Sequence, residues 1–301
     1  MMAVPKLSYV ALVSTDLAAA CRLLGDALGL ARTELAVSAR PVPVFAIGAA
    51  ALAIFPPGDP FVDGQMKSGV HHIGLDAASA HPPIPTLGDR RPGLGGTDRQ
   101  ALDPAATAGV RVFLTAPLAI ERHTPPLIER IDHIGIASAD NVAAIAAFAG
   151  RIGLPIESQQ TDMEVETAIE SFTSDKYGVI YHSRAPRVAG GLRVAFLTTG
   201  DCELEFLQNF DPAHGAHLDH GASGNTRQDQ GAITKFIGSR GAGLHHVALK
   251  SPDINATLAV LASSGATMID QVGRPGSRRA LIGFAHPRSF GGILFHVVQR
   301  D

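Results

Sequence analysis

Four residues of types that bind metal ions lie in short apolar runs in the second half of the chain. They are His133, Glu205, His246 and His296. Runs of β-branched and apolar residues predict strands, so each of these side chains should lie on a strand. A glutamate in such a run is costly to bury unless it is paired or bound to a cation. Imidazole and carboxylate donors together suit Zn, Fe, Co, Ni or Mn rather than Ca or Mg.

The strands that carry these residues belong to an internal repeat. Residues 7–30 align without a gap with residues 131–154, from a strand through a helix-start signal to a Gly-Leu stop. Three further blocks match in order, namely 48–60 with 200–212, 69–75 with 243–249, and 109–114 with 292–297. The order of strands and helices predicts four βαβββ-like modules. We therefore predict an α+β fold in which tandem βαβββ modules form two curled-sheet domains, residues 1–118 and residues 128–301.

The two halves differ at the four strand positions that carry the ligand-type residues. The first half has, in the same order, Tyr9, Ala53, His72 and Phe113. Ordinary core positions would accept the same apolar residues in both halves, whereas metal-ligand types occupy all four positions in the second half and one in the first. We therefore predict a metal site in the second half and a degenerate site in the first. The alternatives are hydrogen-bonded core histidines and a solvent-facing position for Glu205.

Two segments depart from the repeat. In the second module the helix position is taken by residues 80–98, which are rich in Pro and Gly and predict a loop with little fixed structure. Residues 213–230 form a second irregular segment, and loops that long are often lids or binding loops. Arg227 in this segment and Lys235 just beyond it are candidates to bind an acidic group of a substrate. A surface insertion without function is the alternative.

Other histidines and arginines are assigned structural or solvated roles. Strand alternation turns His71 and His245 to the face opposite their neighbours His72 and His246. The irregular segment contains three histidines that are either solvated or additional ligands, His214, His217 and His220. A basic turn contains three arginines that are either solvated or in contact with a carboxylate or phosphate, Arg274, Arg278 and Arg279.

Composition limits the class of protein. The 301 residues are 46% apolar and 18% charged with a net charge of −3, which is typical of a globular protein with a large core and gives no basic block for nucleic acid or an anionic membrane. No apolar run approaches about 18 residues and no charged-then-apolar leader opens the sequence, so we expect neither a membrane span nor an export signal. Cys21 and Cys202 stand apart in apolar surroundings, as in a reducing cytosol, so we expect a cytoplasmic protein. A homodimer is compatible with the sequence.

The strands and their flanks resemble the vicinal oxygen chelate (VOC) superfamily, which includes glyoxalase I, methylmalonyl-CoA epimerase, fosfomycin-resistance proteins, and extradiol and 4-hydroxyphenylpyruvate dioxygenases. Residues 243–254 and 284–294 are similar to the epimerase group, and residues 294–300 resemble the hydroxyphenylpyruvate dioxygenase group. The resemblance implies one divalent transition metal (Zn, Fe, Co, Ni or Mn) held by His133, Glu205, His246 and His296. The last ligand of the family is usually a glutamate, so His296 is a departure that leaves Glu205 as the sole carboxylate.

The resemblance implies three alternative functions. The first is an isomerase or lyase of epimerase or glyoxalase type, in which two vicinal oxygens of a small-molecule substrate chelate the metal and Glu205 is ligand and catalytic base for a metal-stabilised enediolate. The second is an Fe(II)- or Mn(II)-dependent dioxygenase, which the tandem domain layout favours. The third is a non-catalytic small-molecule binding protein. Four ligands favour the first function, because a facial site of two histidines and one carboxylate keeps more positions open for oxygen.

Overall fold

The computed structural model describes residues 4–37, 40–76, 84–123, 125–210 and 230–301. The strands of the first half are β1 (Lys6–Val13), β2 (Arg32–Val37), β3 (Arg40–Ile47), β4 (Ala50–Phe55), β5 (Gly69–Asp76), β6 (Thr86–Pro92), β7 (Asp98–Leu102) and β8 (Val112–Thr115). Those of the second half are β9 (Arg130–Ala137), β10 (Ile156–Glu166), β11 (Ile169–Ser174), β12 (Gly178–Ser183), β13 (Arg187–Thr199), β14 (Cys202–Phe210), β15 (Gly243–Lys250), β16 (Arg274–Pro275), β17 (Leu281–Phe284) and β18 (Phe295–Gln299).

The strands form two mixed eight-stranded sheets with the same topology. The first has the order β2-β3-β4-β1-β5-β8-β7-β6, and the second has the order β10-β13-β14-β9-β15-β18-β17-β16. Each sheet curls into a half-barrel. The predicted fold class of tandem βαβββ modules in two curled sheets is thus confirmed. The remaining strands, β11 and β12, form a separate two-stranded hairpin.

In the described ranges, four α-helices connect strands. They are α1 (Leu17–Arg22), α2 (Asn141–Ile145), α3 (Gln230–Arg240) and α4 (Ile254–Ser263); α1 and α2 continue as wider π-helical turns over Leu23–Ala27 and Ala146–Ile152. The predicted helix-start signals hold, because the carboxylates of Asp16, Asp140 and Asp253 accept backbone N–H groups of the first turns of α1, α2 and α4. Among the described residues, no helix is long and apolar enough to cross a membrane.

The four compared strand positions occupy equivalent places in the two sheets. Tyr9 pairs with Gly74 and His133 with Ala248 across the antiparallel central strands. In turn, Gly74 pairs with Phe113 on β8, and Ala248 pairs with His296 on β18. On the other side, Ala11 of β1 pairs with Ala53, and Gly135 of β9 pairs with Glu205. The sequence alignment therefore matches the register of both sheets, including the block that ends the repeat.

The prediction of a loop without fixed structure over residues 80–98 is wrong for its described part. Thr86–Pro92 forms β6, which pairs with β7 at the edge of the first sheet. Its side chains are exposed, and its sequence TLGDRRP carries none of the apolar alternation that predicts a strand. The sheet edge provides the hydrogen bonds, so pairing outweighs local preference here. Residues 77–83 lie outside the described part of the chain.

The two halves contact each other directly. Thr15 N donates to Gly291 O at 2.9 Å, and Thr199 Oγ1 donates to Pro5 O at 3.1 Å. The largest cluster of buried apolar side chains includes residues of both sheets. Strands of the first sheet end at Thr115 and those of the second begin at Arg130, on either side of the predicted boundary. The domain bounds themselves stay a prediction.

Candidate metal centre

The four predicted ligands converge at the centre of the second sheet. Ring nitrogens of His133, His246 and His296 lie within 4.8 Å of one another, and this is the group of three or more potential ligands found among the described residues. Oε2 of Glu205 lies 3.2 Å from Nε2 of His133 and 3.5 Å from Nε2 of His246. All four side chains are buried. Each comes from a different strand, because β14, β9, β15 and β18 are adjacent in the sheet.

The arrangement fits a divalent transition metal. Two donors bound at about 2.1 Å to one metal are roughly 3.0–3.4 Å apart at octahedral or tetrahedral angles. The separation of Nε2 in His133 and His246 is 3.5 Å, and the Glu205 separations are similar. Within the described residues, neither ring nitrogen of His296 has a hydrogen-bond partner although the side chain is buried. An unpaired buried polar group costs about 1–3 kcal/mol, and a metal ion would satisfy it.

The electrostatics of the cluster favour a bound positive charge. Burial lowers the pKa of His133, but the carboxylates of Glu205 and Asp132 outweigh burial and raise it to about 9. Burial raises the pKa of Glu205, but His133 and His246 lower it well below its usual range. Burial and the neighbouring His246 hold the pKa of His296 well below its usual value. The carboxylates of Glu205 and Asp132 therefore favour positive charge at the cluster, as a bound cation would supply.

A buried carboxylate orients His133 from behind. Nδ1 of His133 lies 3.0 Å from Oδ2 of Asp132, which can only accept, so Nδ1 donates and Nε2 faces the cluster. Histidine ligands of metals commonly donate their second nitrogen to such a carboxylate. Asp132 also accepts from Nε of Arg300 at 3.0 Å. Residues 131 and 133 pair with consecutive residues of β15, so Asp132 is the extra residue of a β-bulge and escapes strict alternation.

The basic turn is part of this network, and of the two alternatives for Arg278 the structure shows contact with carboxylates rather than solvation. Nη2 of Arg278 lies 2.6 Å from Oε2 of Glu203, and its guanidinium stacks 3.4 Å from the ring centroid of Phe196. Arg300 contacts the same Glu203 carboxylate at 3.1 Å. Arg274 contacts Asp270 at 3.1 Å and lines a cavity beside the cluster. The sequence signal that indicates such contacts is the presence of two carboxylates, Asp132 and Glu203, within predicted strands, because a carboxylate buried there needs a cationic partner.

A cavity of about 290 Å³ opens beside the cluster. Glu205, His246 and His296 line one side of it, and Glu205 is the sole carboxylate among its described lining residues. Most of the remaining wall is apolar, formed by Leu192, Leu207, Ala232, Ile233, Ile269, Ile282, Phe284, Pro287 and Leu294. Apolar walls with a few converging polar groups are typical of small-molecule sites.

His245 faces this cavity, so the prediction that it points to the opposite face is wrong. The pairing of β15 with β9 shifts between Leu244 and His246, which makes His245 the extra residue of a second bulge. Its Nδ1 lies 3.0 Å from Nδ1 of His246, and its ring contacts Phe236 edge-on at 4.8 Å. His71 occupies the matching bulge of the first sheet, with its Nδ1 2.6 Å from Nδ1 of His72.

Of the two predicted substrate-binding residues, Arg227 and Lys235, only Lys235 lies in the described part of the chain. Lys235 is exposed on α3 and is absent from the described lining of the cavity, whereas Ala232 and Ile233 of the same helix line it. Arg227 and the three histidines of residues 213–230 lie outside the described residues. A role of Arg227 or Lys235 in substrate binding stays a prediction.

In the first half, other side chains fill the equivalent position. Tyr9 Oη lies 3.1 Å from Nε2 of His72, and the ring of Phe113 lies 4.5 Å from that of His72. Arg99 inserts between the rings of Phe61 and Phe113 and is buried. At the four equivalent positions the first sheet thus has one imidazole, whereas the second has four potential donors. A degenerate site in the first half stays a prediction.

Gly135 makes room for the imidazole of His246. A Cβ at this position would overlap the ring, whereas a Cβ at Gly150 would meet nothing within 4 Å. We expect Gly135→Ala to displace His246 and weaken divalent metal binding about 10-fold or more, similar to the loss of a ligand's supporting contacts. Gly150→Ala is the control and should bind normally. Calorimetric titration with Co(II) measures both, and equal affinities would contradict the assigned position of His246.

The fold and the cluster define a two-sheet protein with a candidate metal centre in its second half. The sequence model of the Glyoxalase/Bleomycin resistance protein/Dioxygenase superfamily matches residues 132–284, and the chain belongs to this superfamily. Its members are mostly enzymes acting on small molecules. The uncharacterized protein YqjC of Bacillus subtilis is 23% identical over 172 residues, which are 57% of this chain and 93% of YqjC.

Two solved structures are similar to this chain. The similarity to a mutant of 4-hydroxymandelate synthase from Streptomyces coelicolor covers 100% of this chain and 94% of that chain. The sequence identity is 15% and the TM-score is 0.59. The similarity to methylmalonyl-CoA epimerase from Mycobacterium tuberculosis covers 61% of this chain and 94% of that chain. The sequence identity is 21% and the TM-score is 0.40. The first of these similarities extends the shared fold over both sheets.

Proposed function

We propose that the protein is a divalent-metal-dependent isomerase or lyase that removes a proton next to a carbonyl of a small substrate with two vicinal oxygens. The observation that carries the proposal is the convergence of His133, Glu205, His246 and His296 beside a largely apolar cavity. The four side chains would hold the metal. When bound, such a metal supplies a Lewis acid that polarises the substrate carbonyl.

The number of donors supports an isomerase over an oxygenase. Four protein donors would leave a six-coordinate metal with room for the two vicinal oxygens of a substrate. Oxygen-activating sites of the two-histidine, one-carboxylate type keep a further position open. Both nitrogens of the buried His296 lack a hydrogen bond to any described residue, which supports counting it as the fourth donor.

Glu205 is the candidate base. It is the carboxylate that lines the cavity, so a substrate proton directed at the cluster would meet its oxygens first. Its contacts with His133 and His246 hold it in place. The apolar part of the cavity wall, including Ile282 and Phe284, would exclude water from the carbanion that proton removal produces.

Solvent exchange of the substrate proton tests the proposal. Protein loaded with Zn, Co, Ni or Mn is incubated in D₂O with a panel of 2-hydroxy ketones and 2-oxo acids, and proton NMR follows the signal next to the carbonyl. We expect enzyme-dependent loss of this signal for at least one compound, with a rate at least about 100-fold lower in Glu205→Gln. Equal rates in the variant would exclude Glu205 as base.

The second candidate is an Fe(II)- or Mn(II)-dependent dioxygenase. The observation that favours it is the two-sheet arrangement, which the 4-hydroxymandelate synthase structure shares over the whole chain. Oxygen uptake by the Fe(II)-loaded protein with catechols and 2-oxo acids distinguishes the two. Uptake that depends on His133 and His246 would replace the isomerase proposal, whereas proton exchange without uptake supports it.

A further inference from the structure

A groove of about 640 Å³ lies between the two halves, apart from the candidate metal centre. β5 and residues 104–111 form its wall in the first half, and the end of α3 with the start of β15 forms its wall in the second. Three cations line it, Lys67, Arg111 and Arg240, together with His71. Its described lining residues include no carboxylate.

The three cations are held in place by neutral groups. Lys67 Nζ donates to Ser239 O at 3.3 Å, and Arg240 Nη1 donates to Ser68 O at 2.6 Å. Nη1 of Arg111 donates to the side-chain oxygen of Gln65 at 2.8 Å. These bonds position the charges without neutralising them.

The helix end nearby does not balance this charge. The C-terminus of a helix carries roughly half a negative charge, so the end of α3 offsets at most one of the three cations. Asp63 is paired with Arg91 at 2.8 Å, and its other carboxylate oxygen lies 3.9 Å from Nε2 of His71, beyond hydrogen-bond distance. The chain as a whole has a net charge of −3, so its overall composition does not account for the excess of positive charge in this groove.

A buried imidazole with an unpaired nitrogen also lines the groove. His71 is 2% exposed, and its Nε2 has no hydrogen-bond partner among the described residues. Its other nitrogen contacts His72, and burial with the nearby Arg111 lowers the pKa of His71 to about 4, so the imidazole is neutral at pH 7. A neutral imidazole can donate one hydrogen bond to an anion.

We propose that this groove binds a phosphate-bearing small molecule, with Arg111, Arg240 and Lys67 contacting its phosphate oxygens and His71 closing the inner end. Arginine forks match phosphate geometry, and small-molecule sites commonly have volumes of about 300–1,000 Å³. The site is separate from the proposed metal-dependent activity, and its test does not depend on that activity.

Calorimetric titration of the full chain with pyrophosphate at low ionic strength tests the groove. We expect one saturable site that Arg111→Gln and Arg240→Gln each weaken about 10-fold or more, because each removes a charge-assisted hydrogen bond. Arg90→Gln changes an exposed arginine of β6 outside the groove and should stay within about 2-fold of the unchanged protein.

Two controls make the result decisive. Arg240 also joins the halves, so Arg111, whose bond is to a side chain of its own half, gives the cleaner comparison. Pyrophosphate can bind a metal ion, so the titration is repeated with His246→Ala, in which groove binding should persist. Absence of saturable binding, an equal effect of Arg90→Gln, or loss of binding in His246→Ala would each overturn the proposal.

Discussion

His246→Ala is expected to abolish almost completely the divalent-metal binding that we propose for the four-residue cluster. Loss of a contact that merely supports a ligand costs 10–100-fold in affinity, so loss of a ligand should cost at least about 100-fold. Metal content after purification and dialysis, measured by mass spectrometry, should fall from near one per chain to below about one-tenth. The same variant should lose the thermal stabilisation that metal binding gives the unchanged protein.

His72→Ala is the matched control, because His72 is buried at the equivalent position of the first sheet. Its stability should fall, since a packed side chain is removed, but its metal content should not change. Circular dichroism shows whether both variants are folded. Metal content that persists in folded His246→Ala, or that falls equally in both variants, would contradict the assignment of the metal centre.

Asp132→Ala is expected to lower the free energy of unfolding by about 3–5 kcal/mol. Asp132 is fully buried and accepts from His133 and Arg300, and removing one member of a buried ionic network leaves the others unpaired. Burial alone would raise the pKa of Asp132, but these partners lower it well below its usual range, so it is ionised at neutral pH. Urea denaturation followed by circular dichroism measures the change.

Asp26→Ala serves as the comparison, because Asp26 is exposed and should change stability by no more than about 0.5 kcal/mol. Both denaturations are performed with a chelator present, so that metal loss does not contribute. A change below about 1 kcal/mol in Asp132→Ala would mean that Arg300 and His133 find other partners, and the network would then have little part in stability.

The fold and the convergence of the four residues could be predicted from the sequence because both follow from the internal repeat. Aligned strands must pair in the same order, and a difference between copies at equivalent positions is visible without any structure. His133 and Glu205 could therefore be expected to converge from neighbouring strands on the basis of the aligned repeats. The register of the second sheet agrees with that expectation. Their role as ligands stays a prediction.

The errors have a common physical origin in long-range pairing. Alternation of side chains along a strand predicts that His245 faces away from His246, but a bulge inserts one residue and turns both toward one cavity. The partners of Arg278 likewise come from strands distant in the chain, so its local sequence resembles a solvated turn. The loop predicted over residues 80–98 was wrong for the same reason, because pairing with β7 at the sheet edge makes β6 a strand.

Both bulges occur at matching places in the two sheets, at Ser8 and Asp132 and at His71 and His245. Such irregularities are tolerated only where surrounding packing accommodates them, and their independent origin at the same two places would be a coincidence. The simplest history is duplication of an ancestral gene whose product already had both distortions. On that history, the adjacent imidazoles of His71 and His72 in the first sheet and of His245 and His246 in the second descend from one pair in the ancestor.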